Sequence, residues 1–263
     1  MRYHLSGNIG QFQVDALLKA KVKNVLFSYA GLSGTHDSTA KRLTLFADAN
    51  IILDSGAFST WNTGKHIDRE ELLAFYKIAR HYNPDIHLIS LDKIPGERGR
   101  KPTKEEATAA CKQGLDNYLY YKKQGIDTIP VFHEDDDWKY LEIYKQETDY
   151  IAISPANDSN IQRRIDWLDY VFRNLKADYK THGLAATSDR LLKRYPFYSV
   201  DSVNWLSVAF YGNSKTIDHP YVRQMISNHE TRVDLLVRDI RYYQDIEKNI
   251  TNLWKKRGVV WED

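Results

Sequence analysis

Cysteine is nearly absent from this sequence, which contains Cys111 alone among 263 residues. A single cysteine excludes an intramolecular disulfide and any zinc site built from two or more thiolates. Cys111 lies in a segment of helical character, and we expect it to be a small packed residue. A cytoplasmic, reducing location is the default expectation for such a chain.

Long apolar runs are missing as well. No segment approaches the roughly 20 apolar residues of a membrane-spanning helix, and the first residues lack the apolar region of a signal peptide. We therefore expect no membrane partner. An excess of one charge is also missing, since 37 basic residues balance 35 acidic ones. This balance neither establishes nor excludes a nucleic-acid partner.

Aromatic residues, by contrast, are plentiful, with 6 Trp, 18 Tyr and 9 Phe. Side chains of this size can bury a large core, which argues against a disordered chain. The length fits one complete (β/α)8 barrel, which typically needs about 250 residues.

Short apolar segments alternate along the chain with longer segments of helical period. The predicted strands are residues 3–5, 23–29, 51–54, 87–92, 128–133, 150–154, 179–184 and 198–201. The predicted helices between them are residues 11–20, 69–81, 104–124, 138–146, 161–175 and 189–195. Such alternation is typical of a parallel sheet covered by helices.

A closed (β/α)8 TIM barrel is the simplest fold for eight such strands, and a doubly wound open sheet is the alternative. No Gly-x-Gly-x-x-Gly follows the first strands, which disfavours a dinucleotide-binding fold. We expect residues 1–212 to form the barrel. Residues 213–263 are predicted to form a helical extension packed on it, with a long charged helix over residues 219–256.

Polar residues stand at the ends of several predicted strands. Asp54 ends the third, Asp92 the fourth, His133 the fifth and Asp201 the eighth, while His182 lies near the end of the seventh. In a (β/α)8 barrel the carboxyl ends of all strands open onto one face, where active sites are built. The sequence therefore predicts that these side chains converge.

Each of these aspartates also has an ordinary structural interpretation, since Asp favours helix caps and turns. Gly56 beside Asp54 predicts a tight turn or a close backbone approach to a ligand. The run Asp135-Asp136-Asp137 predicts a solvated loop with Asp137 near the N-cap of the next helix. Its irregular ligand spacing argues against a metal site.

Four segments together resemble the tRNA-guanine transglycosylases, (β/α)8 enzymes that exchange guanine for a 7-deazaguanine. Asp54-Ser55-Gly56-Ala57-Phe58 is similar to the family's Asp-Ser-Gly-Gly-Phe motif, and Asp92 to its base-recognising aspartate. His182-Gly183-Leu184-Ala185 is similar to its Gly-Gly-Leu-Ala segment. Ser199-Val200-Asp201-Ser202 resembles the strand that carries the nucleophilic aspartate.

Two departures from this family are visible. The family's zinc site uses three cysteines and a histidine after the nucleophile strand, whereas this chain has no cysteine after Cys111. The chain is also much shorter, and His133 stands where the family often has Gln. These departures favour the short phage and bacterial enzymes that insert 7-deazaguanines into DNA, and they imply no metal and no cofactor.

The resemblance implies a role for each matching residue. Asp201 would be the nucleophile and Asp54 the general acid and base. Asp92 would accept hydrogen bonds from the guanine N1–H and amine, and a backbone N–H near Gly183 would donate to O6. The remaining substrate-binding candidates are Ser55, Gly56, His133, His182 and Leu184.

Further candidates concern stacking and phosphate binding. Phe58 and Tyr29 are candidates to stack on a flipped base, although aromatic residues at such positions more often fill cores. Arg98, Arg100 and Lys101 follow the fourth strand and are candidates to contact phosphates. An ordinary solvated loop is the equal alternative for that basic stretch.

Three other functions stay open. The chain could act on tRNA instead of DNA. It could be a barrel glycosidase acting on free nucleosides or sugars, because paired carboxylates suit that chemistry, or a non-catalytic base-binding barrel. The order of the motifs argues against the glycosidase, and the presence of both aspartates argues against a non-catalytic protein. The sequence does not indicate an oligomeric state.

Overall fold

Eight parallel strands form the centre of the fold. The computed structural model describes residues 1–261 except 8–9, 33, 98–99, 156–159, 177–178, 213 and 217–227. The strands are β1 Arg2–Gly7, β2 Asn24–Ser28, β3 Asn50–Asp54, β4 His87–Leu88, β5 Val131–His133, β6 Tyr150–Ser154, β7 Lys180–Gly183 and β8 Ser199–Ser202. Each of them overlaps a strand predicted from the sequence, with β4 and β5 shorter than predicted.

The sheet closes into a barrel. Its hydrogen-bonded order is β4-β3-β2-β1-β8-β7-β6-β5, so β4 and β5 are the two edges. A parallel bridge between Ile89 and Ile129 joins these edges. There Ile129 N–H donates to Leu88 O at 2.7 Å, and Ser90 N–H donates to Ile129 O at 2.9 Å. The closed (β/α)8 barrel is thereby confirmed over the open sheet.

Helices surround the strands. They are α1 Gln11–Lys19, α2 His36–Leu43, α3 Ala57–Thr63, α4 Arg69–Tyr82, α5 Lys104–Lys123, α6 Trp138–Glu147, α7 Ile161–Asn174, α8 Asp189–Arg194, α9 Ser207–Tyr211 and α10 His229–Lys256. The sequence analysis did not predict α2, α3 and α9. Thr103 is the N-cap of α5, since its hydroxyl accepts from Glu106 N–H in a capping box.

The hydrophobic core has two layers. The outer layer lies between strands and helices and includes Leu53, Phe75 and Phe132. The inner layer fills the barrel with Leu26, Ile52, Ile89, Ile129, Val131, Tyr150, Ala152 and Tyr198. This is the alternation expected where successive side chains of a strand point to opposite faces.

Helix α10 packs against α1, α8 and β1. Glu247 accepts hydrogen bonds from Tyr3 N–H and from the Asn24 amide, and Trp254 donates to Leu192 O. The helix therefore covers the barrel beside β1. The part of the predicted helix from 219 to 227 lies outside the described residues, and the division at residue 212 stays a prediction. No helix in the described ranges is long and apolar enough to cross a membrane.

Candidate active site

The carboxyl end of the barrel brings the predicted polar residues together. Asp54 is the last residue of β3 and His133 the last of β5, while Asp201 lies in β8 and Asp92 follows β4. The carboxyl groups interact electrostatically, because the charges of Asp92 and Asp201 both raise the pKa of Asp54. Three carboxyl groups from three different strands thus share one face, as the sequence predicts.

A tight turn after β3 fixes Asp54. The N–H of Gly56 donates to Asp54 Oδ2 at 2.9 Å. Gly56 has a φ of +84°, and a Cβ on it would lie 2.5 Å from the Ala30 Cβ and 2.7 Å from the Ala30 nitrogen. Glycine is therefore required by both backbone conformation and space. The sequence predicts a tight turn or a close backbone approach at Gly56. In the structure, the segment that Gly56 approaches closely is the chain after β2.

Burial makes Asp54 a weak acid. Desolvation and the nearby charge of Asp92 raise its pKa to about 7, although the Gly56 hydrogen bond partly opposes both. Near neutral pH the group therefore exists in both its protonated and ionised forms. A carboxyl group with this property can give a proton and take one back without leaving its position.

Asp92 is held by two side chains. His133 Nε2 lies 2.8 Å from Asp92 Oδ2, and the Ser55 hydroxyl donates to Oδ1 at 3.3 Å. Burial lowers the pKa of His133, but the hydrogen bond and charge of Asp92 outweigh it, so the pKa lies above its ordinary value. The nitrogen of His133 that faces the site is thus occupied by Asp92. Each oxygen of Asp92 keeps a further lone pair for a ligand.

A buried aspartate supports His133 from behind. Asp136 Oδ2 accepts from His133 N–H at 2.9 Å, and Oδ1 lies 3.1 Å from the Cys111 Sγ. Asp136 is buried, so the prediction that all of residues 135–137 form a solvated loop is wrong for this residue. The prediction for Asp137 is confirmed, because it caps α6 through Lys139 N–H. Burial raises the pKa of Cys111 to about 12, which fits a structural thiol.

Asp201 has different surroundings. The N–H of Ala185 donates to its Oδ1 at 3.2 Å, and His182 Nε2 lies 3.4 Å from the same oxygen. Ala185 adopts a φ of +50°, a left-handed conformation that is uncommon outside glycine. The Asp201 side chain keeps 15% of its surface exposed. One oxygen of this carboxylate therefore accepts a backbone hydrogen bond and has His182 Nε2 nearby, while the group stays accessible.

Packing explains Gly183. A Cβ on Gly183 would lie 2.8 Å from Phe197 Cε1 and 2.9 Å from the Ala186 Cβ. The neighbouring N–H groups have partners within the protein, since Leu184 N–H donates to Ile153 O and Ala186 N–H to Gly183 O. Donation from this segment to a base stays a prediction.

The basic stretch after β4 lies near Asp54. Trp61 of α3 donates to Gly96 O at 2.9 Å, which ties the stretch to the helix that starts after the Asp54 turn. Arg98 lies outside the described residues. Arg100 forms a two-pronged pair with Glu106 at 2.5 and 2.9 Å, and Lys101 is exposed. Because Arg100 is paired with Glu106, Lys101 is the more available of these two basic side chains for a phosphate.

A cavity of about 410 Å³ lies between the chain after β2 and helices α2 to α4. Its lining includes Tyr29, His36, Thr60, His66 and Phe75 from the chain after β2 and from α2 to α4, and none of the three aspartates. Tyr29 packs against Phe75 at a ring-centroid distance of 5.3 Å, as a core aromatic does. The separate stacking candidate, Phe58, is 52% exposed at the start of α3. Nothing in the sequence pattern indicated the cavity.

No protein-family model and no curated protein matches the chain. Among solved structures, the tryptophan synthase alpha chain from Legionella pneumophila subsp. pneumophila superposes with a TM-score of 0.52 and 10% identity. The match covers 90% of this chain and 88% of that one. DHDPS from Cyanidioschyzon merolae with lysine bound gives 0.32 and 15% identity over 90% and 80%. The first match supports the barrel fold and carries no information on activity.

Proposed function

We propose that the protein is a guanine transglycosylase that exchanges guanine in nucleic acid, DNA in preference to tRNA, for a 7-deazaguanine base. The observation that carries this proposal is a pair of aspartates in unlike surroundings on one barrel face. Asp54 has a pKa of about 7, and Asp201 stays accessible with two nitrogen groups on one oxygen. Exchange of a base at a glycosidic carbon needs one group of each kind.

The first half of the reaction forms a covalent intermediate. A carboxylate oxygen of Asp201 attacks C1′ of the nucleotide while the bond from C1′ to N9 of guanine breaks. The bonding electron pair goes to N9, which takes the proton of Asp54. The negative charge of Asp201 stabilises the oxocarbenium character that develops at C1′.

The second half reverses these steps with a new base. The incoming 7-deazaguanine gives its N9 proton to the Asp54 carboxylate, and N9 attacks C1′. The bond from C1′ to Asp201 breaks, and its electron pair returns to the carboxylate. Since Asp54 must donate in one half and accept in the other, a pKa near the working pH serves both directions.

Recognition of the base falls to Asp92. Its oxygens accept from the N1–H and exocyclic amine of guanine, an edge that a 7-deazaguanine shares, while His133 and Ser55 fix the carboxylate. The target nucleotide must leave its stack for C1′ to reach Asp201. The preference for DNA rests on the short chain and on the missing cysteines of the zinc site.

A labelled 7-deazaguanine tests this function. The protein is incubated with the labelled base and with guanine-containing DNA or tRNA, and label in the nucleic acid is counted. We expect incorporation into DNA, loss of it in Asp201→Ala and its preservation in Asp189→Asn, an exposed aspartate of α8. Incorporation into neither nucleic acid contradicts the proposal. Release of guanine without incorporation identifies a hydrolase instead.

A further inference from the structure

We propose that Tyr150, Ser199 and His182 form a hydrogen-bond relay inside the barrel that holds Oδ1 of Asp201 and leaves Oδ2 to attack C1′. The inference rests on the proposed role of Asp201 as nucleophile. It adds three positioning residues. One of them, His182, is a substrate-binding candidate in the sequence, but it has no exposed surface and takes a positioning role instead.

A continuous line of polar atoms runs through the barrel interior. The Tyr150 hydroxyl lies 2.5 Å from Ser199 Oγ, and Ser199 Oγ lies 2.7 Å from His182 Nδ1. The other ring nitrogen, His182 Nε2, lies 3.4 Å from Asp201 Oδ1. The line therefore crosses from β6 through β8 to β7 and ends at the carboxylate.

The chemistry of these groups sets the direction of donation. A carboxylate can only accept, so in the proposed relay the Nε2 that faces Asp201 carries the imidazole proton. The Nδ1 of a neutral imidazole is then an acceptor, and Ser199 must donate to it. Ser199 in turn accepts from Tyr150, whose phenol burial keeps protonated by raising its pKa. Every donor in the line thus points towards Asp201.

The ring of His182 is fully buried inside the barrel. His182 and Ser199 have no exposed surface, and His182 packs edge to face against His4 at 5.9 Å. Burial, followed by the charges of nearby basic groups, lowers the pKa of His4 well below its ordinary value, so His4 is uncharged at pH 7. Barrel interiors are usually filled by branched apolar residues. A polar line at this depth calls for a specific role.

The relay distinguishes the two oxygens of Asp201. Both nitrogen groups lie on Oδ1, Ala185 N at 3.2 Å and His182 Nε2 at 3.4 Å. No hydrogen bond to Oδ2 is found within the described ranges. His182 Nε2 is a buried nitrogen that faces Oδ1 without a hydrogen-bond partner in the described structure, and long contacts of this kind in free enzymes often tighten when substrate binds. Oδ2 is therefore the oxygen left for attack on C1′.

The relay acts on the chemical steps. It aims Oδ2 in the first half, and the N–H of His182 stabilises the carboxylate when the ester bond breaks in the second. Loss of one link lowers kcat and leaves KM for DNA unchanged, because no link contacts the nucleic acid. We expect about a tenfold loss for Ser199→Ala, the size of one hydrogen bond, and a smaller loss for Tyr150→Phe.

The matched control is Thr181→Val. Thr181 is a buried residue of β7 next to His182, and its hydroxyl has no hydrogen-bond partner in the described structure. This variant removes a buried hydroxyl without touching the relay. The full chain of each variant is assayed for kcat, KM and melting temperature. Equal kcat in Ser199→Ala and Thr181→Val overturns the proposal, as does an unchanged kcat in both relay variants.

Nitrogen-15 NMR of histidine-labelled protein shows which ring nitrogen of His182 carries the proton. This measurement does not depend on enzymatic activity. The His182 signals are assigned by their loss in His182→Gln. We expect a protonated Nε2 and an unprotonated Nδ1 whose signal shifts in Ser199→Ala and not in Thr181→Val. A proton on Nδ1 overturns the relay even if base exchange is active. The expected tautomer in a protein that exchanges no base refutes the proposed function and leaves the hydrogen-bond line supported.

Discussion

The two sides of the barrel face hold the same residue type in different surroundings. On the β3 side, Asp54 is desolvated beside Asp92 and has a pKa of about 7. On the β8 side, Asp201 meets Ala185 N–H and His182 Nε2 and keeps 15% of its side-chain surface exposed. Surroundings rather than residue type therefore separate the proposed proton carrier from the proposed nucleophile.

The supports on the two sides also differ in kind. Asp54 is held by the backbone of its own turn through Gly56. Asp201 is held by groups that come from β7 and the chain after it. Local turn chemistry thus positions Asp54, whereas tertiary contacts position Asp201.

The largest expected effect comes from removing the nucleophile. Asp201→Asn keeps the size of the side chain and loses the charge, so base exchange should fall by about 10⁴-fold or more. Initial rates of label incorporation measure the loss, and Asp189→Asn should keep the wild-type rate. Exchange within tenfold of wild type would place the nucleophile elsewhere.

Asp54→Asn should lower the rate of base exchange by less, about 10²- to 10⁴-fold, as expected for loss of a general acid. A DNA substrate carrying 7-methylguanine sharpens the comparison, because this charged base leaves without a proton. Release of the methylated base should be nearly normal in Asp54→Asn and still absent in Asp201→Asn. If both variants lost release of the methylated base equally, the proposed difference between the roles of Asp54 and Asp201 would be wrong.

The pH dependence of stability should show the raised pKa of Asp54. The folded state holds the proton up to about pH 7, while the unfolded group loses it near 3.8. Stability from this group is fully present below pH 3.8 and is lost as the pH rises to about 7, in total roughly 4 kcal/mol.

Urea unfolding of wild type and Asp54→Asn between pH 4 and 8 measures this loss. The wild-type free energy of unfolding should fall relative to the variant up to about pH 7 and then run level with it. His133, whose pKa is also raised, titrates in both proteins and largely cancels from the difference. A difference that is constant across this range would contradict the raised pKa.

The smallest effects belong to the basic stretch after β4. Lys101→Ala should weaken DNA binding a few-fold and reduce the slope of log affinity against log salt by about 1. Arg100→Ala should leave that slope unchanged and lower the melting temperature, since its guanidinium pairs with Glu106 at the start of α5. Fluorescence anisotropy at several salt concentrations measures this slope for both variants.

The fold could be predicted because its signals are local. Strands such as β3 and β6 are short apolar runs, and the amphipathic helix α4 starts at a capping Asp68. Helix α3 was not predicted because its residues Ala57–Thr63 include Ser, Thr and Asn, which are weak helix formers. Left-handed Gly56 and Gly64 at its two ends set its limits.

The site could be predicted in part. Strand-end position and motif order indicated Asp54, Asp92 and Asp201, which the structure brings to one face. The pairing of His133 with Asp92 and the burial of Asp136 depend on contacts between β4, β5 and α5, which no local pattern encodes. For Ser199 a signal existed, since residues two apart on β8 share a face with Asp201.

The most direct test of the central claim is intact-protein mass spectrometry after incubation with a guanine-containing DNA oligonucleotide and acid quenching. The account predicts a covalent protein–DNA adduct that digestion maps to Asp201 and that Asp201→Asn does not form. An adduct on another residue, or exchange of label into DNA with no adduct at any time, would contradict it.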